Sequence, residues 1–159
     1  MFKRLLPSAL VCVMLFLTAL PSLAQDCSPI TRSQLKEMLK QLGYEVKDIV
    51  TTPGKEKYEV IHTKSGYTVP VGYEISASTN FVWLTVNLGN KPDEYSSKNS
   101  RLIRQNGIIQ PCFFYTTEGG ALMMGFALEN RGLTNAILRT KTDFITDKVV
   151  ETSDLWKNN

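Results

Sequence analysis

The chain has 159 residues, of which 43% are hydrophobic and 21% are charged, and its formal net charge is +3. This composition is typical of a globular protein and argues against a disordered or fibrous chain. The basic residues are scattered, so the charge gives no reason to expect nucleic acid or an anionic membrane as a partner.

The first 24 residues have the three-part layout of a secretory signal peptide. Two basic residues stand near the start, an apolar run covers residues 9–20, and small residues precede Gln25. The apolar run is too short to cross a bilayer. We therefore expect cleavage near Ala24-Gln25, a secreted or periplasmic protein with no stable membrane anchor, and a single domain over residues 25–159.

Two cysteines, Cys27 and Cys112, remain after this cleavage. In an oxidising compartment an even number of cysteines predicts a disulfide. The bond would close a loop of roughly 85 residues, worth about 4–5 kcal/mol in the chain-entropy treatment. Two free thiols, or an intermolecular bond through Cys27, are the alternatives.

A first helix is predicted directly after the cysteine. Thr31 and Gln34 are spaced as a capping box, and Gly43 suits the position just after the helix end. Apolar residues recur between them at helical spacing, namely Leu35, Met38, Leu39 and Leu42. The sequence therefore predicts an amphipathic helix lying on a core.

Three strands are predicted next, over residues 57–63, 67–76 and 81–88. Large apolar residues occupy both alternating sets of the third, with Phe81 and Trp83 in one set. That pattern is typical of a central strand that is covered on both faces.

The second half of the chain begins with a short helix capped by Ser96 or Ser97 and ending at Asn106-Gly107. Two strands, 108–117 and 121–128, flank a Glu-Gly-Gly turn and predict a hairpin. A last helix runs from Thr134 or Asn135 towards Trp156. The predicted order is α-β-β-β-α-β-β-α, an α+β fold with a five-stranded antiparallel sheet and helices packed on it.

This order of elements resembles the type III secretion chaperone-like fold, and the second half resembles its YbjN-like branch, a family described as sensory-transduction regulators. The similarity is carried by three stretches: Leu102 with residues 106–113, residues 122–131, and Leu133-Thr134 with Leu138, Leu155 and Trp156. It implies a YbjN-like domain that binds or scaffolds a protein or peptide, often as a homodimer, without catalytic residues or a cofactor. The signal peptide departs from the cytoplasmic chaperones, so their effector-holding role is not expected here.

The residues offer little for catalysis. His62 is the only histidine, so one chain cannot supply a multi-histidine metal site, and no nucleophile elbow supplies a serine triad. Cys112 with His62 is the remaining nucleophile–base pair, and it competes with the disulfide. Glu59 and Glu74 are the candidate carboxylate pair of a glycosidase, although a solvated sheet face explains both.

We expect a non-enzymatic protein, without metal or cofactor, that binds an unidentified protein or peptide. The candidate partner surface consists of Tyr73, Trp83, Leu102 and Tyr115, since exposed apolar sheet surface often marks a binding site. Ordinary core packing is the competing explanation for these residues. A small glycan-acting hydrolase and an inhibitor or immunity-type protein are the alternative functions.

Overall fold

A computed structural model describes residues 28–93 and 96–157; the predicted signal peptide and Cys27 lie outside this range. The fold is α+β, with helices packed on an antiparallel sheet. The helices are α1 (Arg32–Gln41), α2 (Ser97–Gln105), α3 (Asn135–Glu151) and α4 (Ser153–Trp156). The strands are β1 (Lys47–Val50), β2 (Lys57–Lys64), β3 (Tyr67–Ile75), β4 (Phe81–Asn90), β5 (Phe113–Thr116) and β6 (Ala121–Glu129).

Local signals in the sequence set the ends of the helices. The capping box of α1 is confirmed, because the Thr31 hydroxyl accepts from the Gln34 amide and the Gln34 side chain accepts from the Thr31 amide. Gly43 follows the helix with a φ of 83°, a conformation that glycine adopts without strain. Ser96 caps α2 by accepting from the Lys98 amide, and Thr134 caps α3 by accepting from the Ile137 amide.

The sheet has the strand order β1-β2-β3-β4-β6-β5, with every neighbouring pair antiparallel. Strands β2, β3 and β4 form a meander. The chain then leaves β4, passes through α2 to the edge strand β5, and returns by a hairpin to place β6 between β4 and β5. This route puts α2 beside the β5 edge of the sheet.

The predicted order of elements is wrong at two points. The sheet has six strands because β1 precedes the three predicted ones, and the last helix is divided at Thr152 into α3 and α4. Strand β1 has only four residues and contains a bulge, so it carries no clear alternation. Its pairing with β2 and the Lys36–Asp48 ion pair at 2.7 Å hold it in place, and both are tertiary contacts.

The helices pack on one face of the sheet, which we call the covered face. Contacts between helix and strand side chains fall on this side, as in the hydrogen bonds of Tyr73 with Thr142 and of Tyr67 with Ser153, both 2.9 Å. The core lies here and includes Val60, Val71, Tyr73, Leu84, Met124 and Phe126, all buried. At roughly 1.5–3 kcal/mol per buried side chain, this layer provides most of the stabilisation.

Asn130 joins three parts of the fold. It is fully buried, its Oδ1 accepts from the Ile30 amide at 3.2 Å, and its Nδ2 donates to the carbonyls of Ile30 and Thr79. The side chain therefore ties the entry to α1 and the β3–β4 turn to the end of β6. A buried amide with its hydrogen bonds satisfied in this way is structural.

None of the helices within residues 28–93 and 96–157 has the length and apolar character needed to cross a membrane.

Candidate functional site

The face of the sheet opposite the helices carries the candidate site, and we call it the open face. Strand alternation and register place two sets of residues on it. The aromatic half, on β4, β6 and β5, consists of Phe81, Trp83, Thr85, Asn87, Met123, Gly125, Ala127, Phe113 and Tyr115. The charged half, on β1, β2 and β3, includes Lys47, Lys57, Glu59, Ile61, Pro70, Gly72 and Glu74.

Three rings of the aromatic half pack against one another. Trp83 meets Phe113 edge to face with ring centroids 6.0 Å apart, and the Phe113 and Tyr115 centroids are 5.8 Å apart. Phe113 lies against Gly125, where an added Cβ would approach the ring to 2.9 Å. Burial raises the pKa of Tyr115, and the Glu74 carboxylate raises it further, so the phenol stays neutral at ordinary pH.

The lysines and glutamates of the charged half form ion pairs with one another. Lys57 pairs with Glu74 across β2 and β3, and Lys47 pairs with Glu59 across β1 and β2 at 3.5 Å. Each lysine thus has a glutamate partner on the neighbouring strand, and the pairs are worth little in stability because they are solvated. Their effect is to leave this half with little net charge.

A side chain blocks part of the β5 edge of the sheet. Asn106, at the end of α2, accepts from the Phe114 amide at 2.7 Å and donates to the Phe114 carbonyl at 3.1 Å. These are the backbone groups that a further strand would use. Blocking them is a recognised way to prevent strand addition at an exposed edge.

A groove of about 220 Å³ lies between α2 and β5, and Tyr115 connects it to the open face. Its walls include Leu102, Ile103, Asn106, Phe114 and Thr116. Ile103 is 67% exposed and Ile108, just beyond the helix, is 73% exposed. The apolar surface of the aromatic half therefore continues around the sheet edge onto α2.

Of the four residues of the predicted partner surface, two lie on the open face and two are buried. Trp83 and Tyr115 lie on the open face and both contact Phe113. Tyr73 and Leu102 are only 1% and 3% exposed and pack in the core, although Leu102 lines the bottom of the groove beside α2. Tyr73 shares hydrogen bonds with Thr142 and, at 3.5 Å, with His62, which satisfies its hydroxyl under α3.

Some of these positions could have been predicted from the sequence. The odd-numbered residues of β3 from Tyr67 to Ile75 are all apolar, and this alternation places Tyr73 with the buried set. The choice between Leu102 and Ile103 had no such signal, since both are apolar and adjacent in a short helix. The pattern of β4 predicted a strand covered on both faces, and this is wrong at its beginning, where Phe81 is 40% exposed.

Glu59 and Glu74 do lie on the same face of neighbouring strands. Glu59 is opposite Gly72, and Glu74 follows two residues later on that strand, so the pair is diagonal. Each carboxylate is held by a lysine, and Glu74 lines a cavity of about 210 Å³ to which Glu59 does not contribute. The two glutamates therefore do not face each other across a cleft, as the pair of a glycosidase does.

Cys112 and His62 do not form a nucleophile–base pair. His62 is on β2 and Cys112 directly precedes β5, and four strand spacings of about 4.8 Å separate these strands. Burial raises the pKa of the Cys112 thiol to about 12, so it stays protonated. Burial also lowers the pKa of His62, against the opposing effect of Asp143.

The predicted disulfide is not seen: Cys112 is a free, buried thiol, and Cys27 lies outside the described residues.

Among residues 28–93 and 96–157, no group of three histidine, cysteine or acidic side chains is placed to hold a metal ion. Comparison with known proteins gave no match, whether with family models, with curated proteins or with solved structures. The resemblance to YbjN-like domains thus rests on the short sequence motifs and on the predicted order of elements, from which the structure differs at two points.

Proposed function

We propose that the protein is a secreted or periplasmic, non-enzymatic binding domain of the YbjN-like type, which recognises a protein or peptide through the aromatic half of its open face. The observation that carries this proposal is the contact of Trp83, Phe113 and Tyr115 on a face that no described helix packs against. Aromatic side chains of this kind dominate the energetics of protein interfaces.

The groove beside α2 adds a second contact area for the same partner. An apolar side chain of the partner inserted between Ile103 and Tyr115 would extend the interface around the β5 edge. Strand addition at this edge is disfavoured by Asn106, so recognition uses side-chain pockets more than backbone pairing.

A crosslinking experiment tests the binding proposal. A photoreactive amino acid replaces Tyr115 in one variant and Ile137, an exposed residue of α3, in a matched control. Illumination in the cells that secrete the protein is expected to give a discrete adduct from position 115 that is lost when Trp83→Glu is added. Equal adducts from both positions would contradict a binding surface on the open face.

The nature of the captured protein separates two binding roles. If the adduct contains an enzyme whose activity falls on complex formation, the protein belongs to the inhibitor or immunity type. If the adduct contains a non-catalytic protein, the scaffold role is favoured. Glycan hydrolysis that is lost in the Glu59→Gln, Glu74→Gln double variant would instead support the hydrolase alternative.

Secretion is tested by the mass of the natural product. A mass corresponding to a start at Gln25 is expected, and retention of Met1 would contradict export through a cleaved signal peptide. The same spectrum, recorded after alkylation in denaturant without reductant, reports on Cys27 and Cys112. Two alkyl groups indicate free thiols, and none indicates the disulfide.

A further inference from the structure

We infer that the protein binds a small zwitterion, of the class of a free α-amino acid with an apolar side chain, in a cavity at the start of α1. None of the residues that line this cavity belongs to the aromatic half of the open face, so the inference goes beyond the proposed function. The cavity has a volume of about 480 Å³, compared with about 220 Å³ for the groove beside α2. Cavities of this size are typical of small-ligand sites.

The walls of the cavity come from three segments that are distant in the sequence. They are the entry to α1, the loop between β1 and β2, and the end of β3 with the turn that follows it. Asn130 holds two of these segments together, because its side chain bonds to the backbone of Ile30 and to the carbonyl of Thr79. A backbone bridge to Arg131 fixes Pro29. The cavity is therefore part of the folded framework.

An ion pair between Arg32 and Glu56 lies in the wall. Nε of Arg32 and Oε2 of Glu56 are 3.4 Å apart and both are buried, yet neither makes a hydrogen bond within the part of the chain that the structure describes. The guanidinium is held in place by the Ile75 carbonyl, to which its Nη2 donates at 3.3 Å. The two side chains keep 21% and 28% of their surface exposed, so a ligand in the cavity can reach them. Buried polar atoms without hydrogen bonds are rare and call for an explanation such as a bound ligand or ion.

The pair selects the charge of the ligand. An anion beside Arg32 would be repelled by the Glu56 carboxylate, and a cation beside Glu56 would be repelled by the guanidinium. A zwitterion instead offers each group its opposite charge. An α-amino acid carries its ammonium and its carboxylate on one carbon atom, so its two charges lie about as far apart as those of the pair. The protein groups are already largely removed from water, which lowers the cost of forming charge-assisted hydrogen bonds with them.

The rest of the wall indicates what the ligand carries besides its charges. Pro29, Ile30 and Ile75 contribute hydrocarbon surface to the cavity. An apolar side chain on the amino acid would cover this surface and exclude water from it. L-Leucine meets both requirements and is the probe for the experiment.

Isothermal titration calorimetry of the purified protein with L-leucine tests the inference. Isocaproate and isopentylamine are the matched controls, because they are leucine without its ammonium and leucine without its carboxylate. We expect saturable binding of leucine. Each control should bind at least about tenfold more weakly, since it leaves one charge of the pair without a partner and sets a like charge against it.

Two variants assign the charges. Arg32→Gln and Glu56→Gln are each expected to weaken leucine binding at least about tenfold. Glu56→Gln should also bind isocaproate more tightly than the parent protein does, because the repelling carboxylate is gone. A residue that only supported the fold would not produce this change of preference. Lys40→Gln is the control variant, since it breaks the exposed Lys40–Glu37 pair of the same helix, 3.8 Å long, and should leave leucine binding unchanged.

Three outcomes would overturn the inference: no binding of leucine, binding of either control as tight as that of leucine, or a loss of binding in Lys40→Gln as large as that in Glu56→Gln. Circular dichroism checks that each variant is folded. The comparison of leucine with its two analogues uses the unaltered protein, so it decides the question even where a variant does not fold.

Discussion

The two faces of the sheet are built from the same strands, yet helices cover one of them and leave the other open. On β4, Val82, Leu84 and Val86 are buried beneath the helices, while Trp83, between them, contacts Phe113 on the opposite face. On β4 the two faces thus differ in helix coverage as well as in polarity. The covered face contributes most of the buried core, and we propose that the open face binds a partner.

Substituting adjacent residues of β4 should separate these roles most strongly. Leu84→Ala removes a fully buried side chain and is expected to lower the free energy of unfolding by about 3 kcal/mol. Trp83→Ala is expected to cost less, about 1–2 kcal/mol, because the indole is only partly buried and contacts Phe113 on the open face. Urea denaturation measures both, and equal losses would contradict the assignment of the two faces.

The Asn130 contacts give the next largest effect. Asn130→Ala removes the partner of the Ile30 amide and of two carbonyls, and we expect a loss of about 2 kcal/mol. Asn135→Ala is the matched control, since its amide bonds only to the exposed side chain of Gln41 at 2.9 Å. The control should change stability by less than about 0.5 kcal/mol in the same denaturation experiment.

Asn106→Ala tests how the β5 edge of the sheet is protected. Loss of its two hydrogen bonds to Phe114 is expected to cost about 1 kcal/mol. The Phe114 amide should then exchange its hydrogen faster than in the parent protein, as followed by NMR. Unchanged exchange would mean that another group protects the edge.

The smallest effect is expected from pH. Burial holds the folded-state pKa of His62 below its unfolded value near 6.5, so the unfolded chain takes up the proton first as the pH falls. The contribution of His62 to stability is therefore complete above pH about 6.5 and is lost as the pH falls through the folded-state pKa. Thermal unfolding of the parent and of His62→Gln across this range tests the sign, and a difference that grows at high pH alone would contradict it.

The parts of the fold that local chemistry decides could be predicted from the sequence. The capping box of α1, Gly43 after it, and the β5–β6 hairpin depend on residues close together in the chain, and each is found. Met123 and Met124 likewise lie on opposite faces of the sheet, as strand alternation requires, and Met124 is fully buried. These features need no knowledge of distant contacts.

The remainder depends on contacts between distant residues. Strand β1 exists because β2 pairs with it, and its own four residues carry too little pattern to predict it. The position of Tyr73 beneath α3, and the exposure of Ile103 instead of Leu102, follow from where the helices dock. Two of the four residues of the candidate surface, Trp83 and Tyr115, could therefore be named from the sequence, since strand alternation places them on the same side. The sequence could not predict that the helices leave this side of the sheet uncovered.

The Asn130 contacts have a consequence for when the chain can fold. The residue that secures the start of α1 lies 100 positions further along the chain, so the helix cannot be fixed in place until most of the polypeptide has been synthesised. Contacts of such long sequence separation slow folding. If the protein is exported as we propose, slow folding of this kind would favour a chain that is still unfolded when it crosses the membrane.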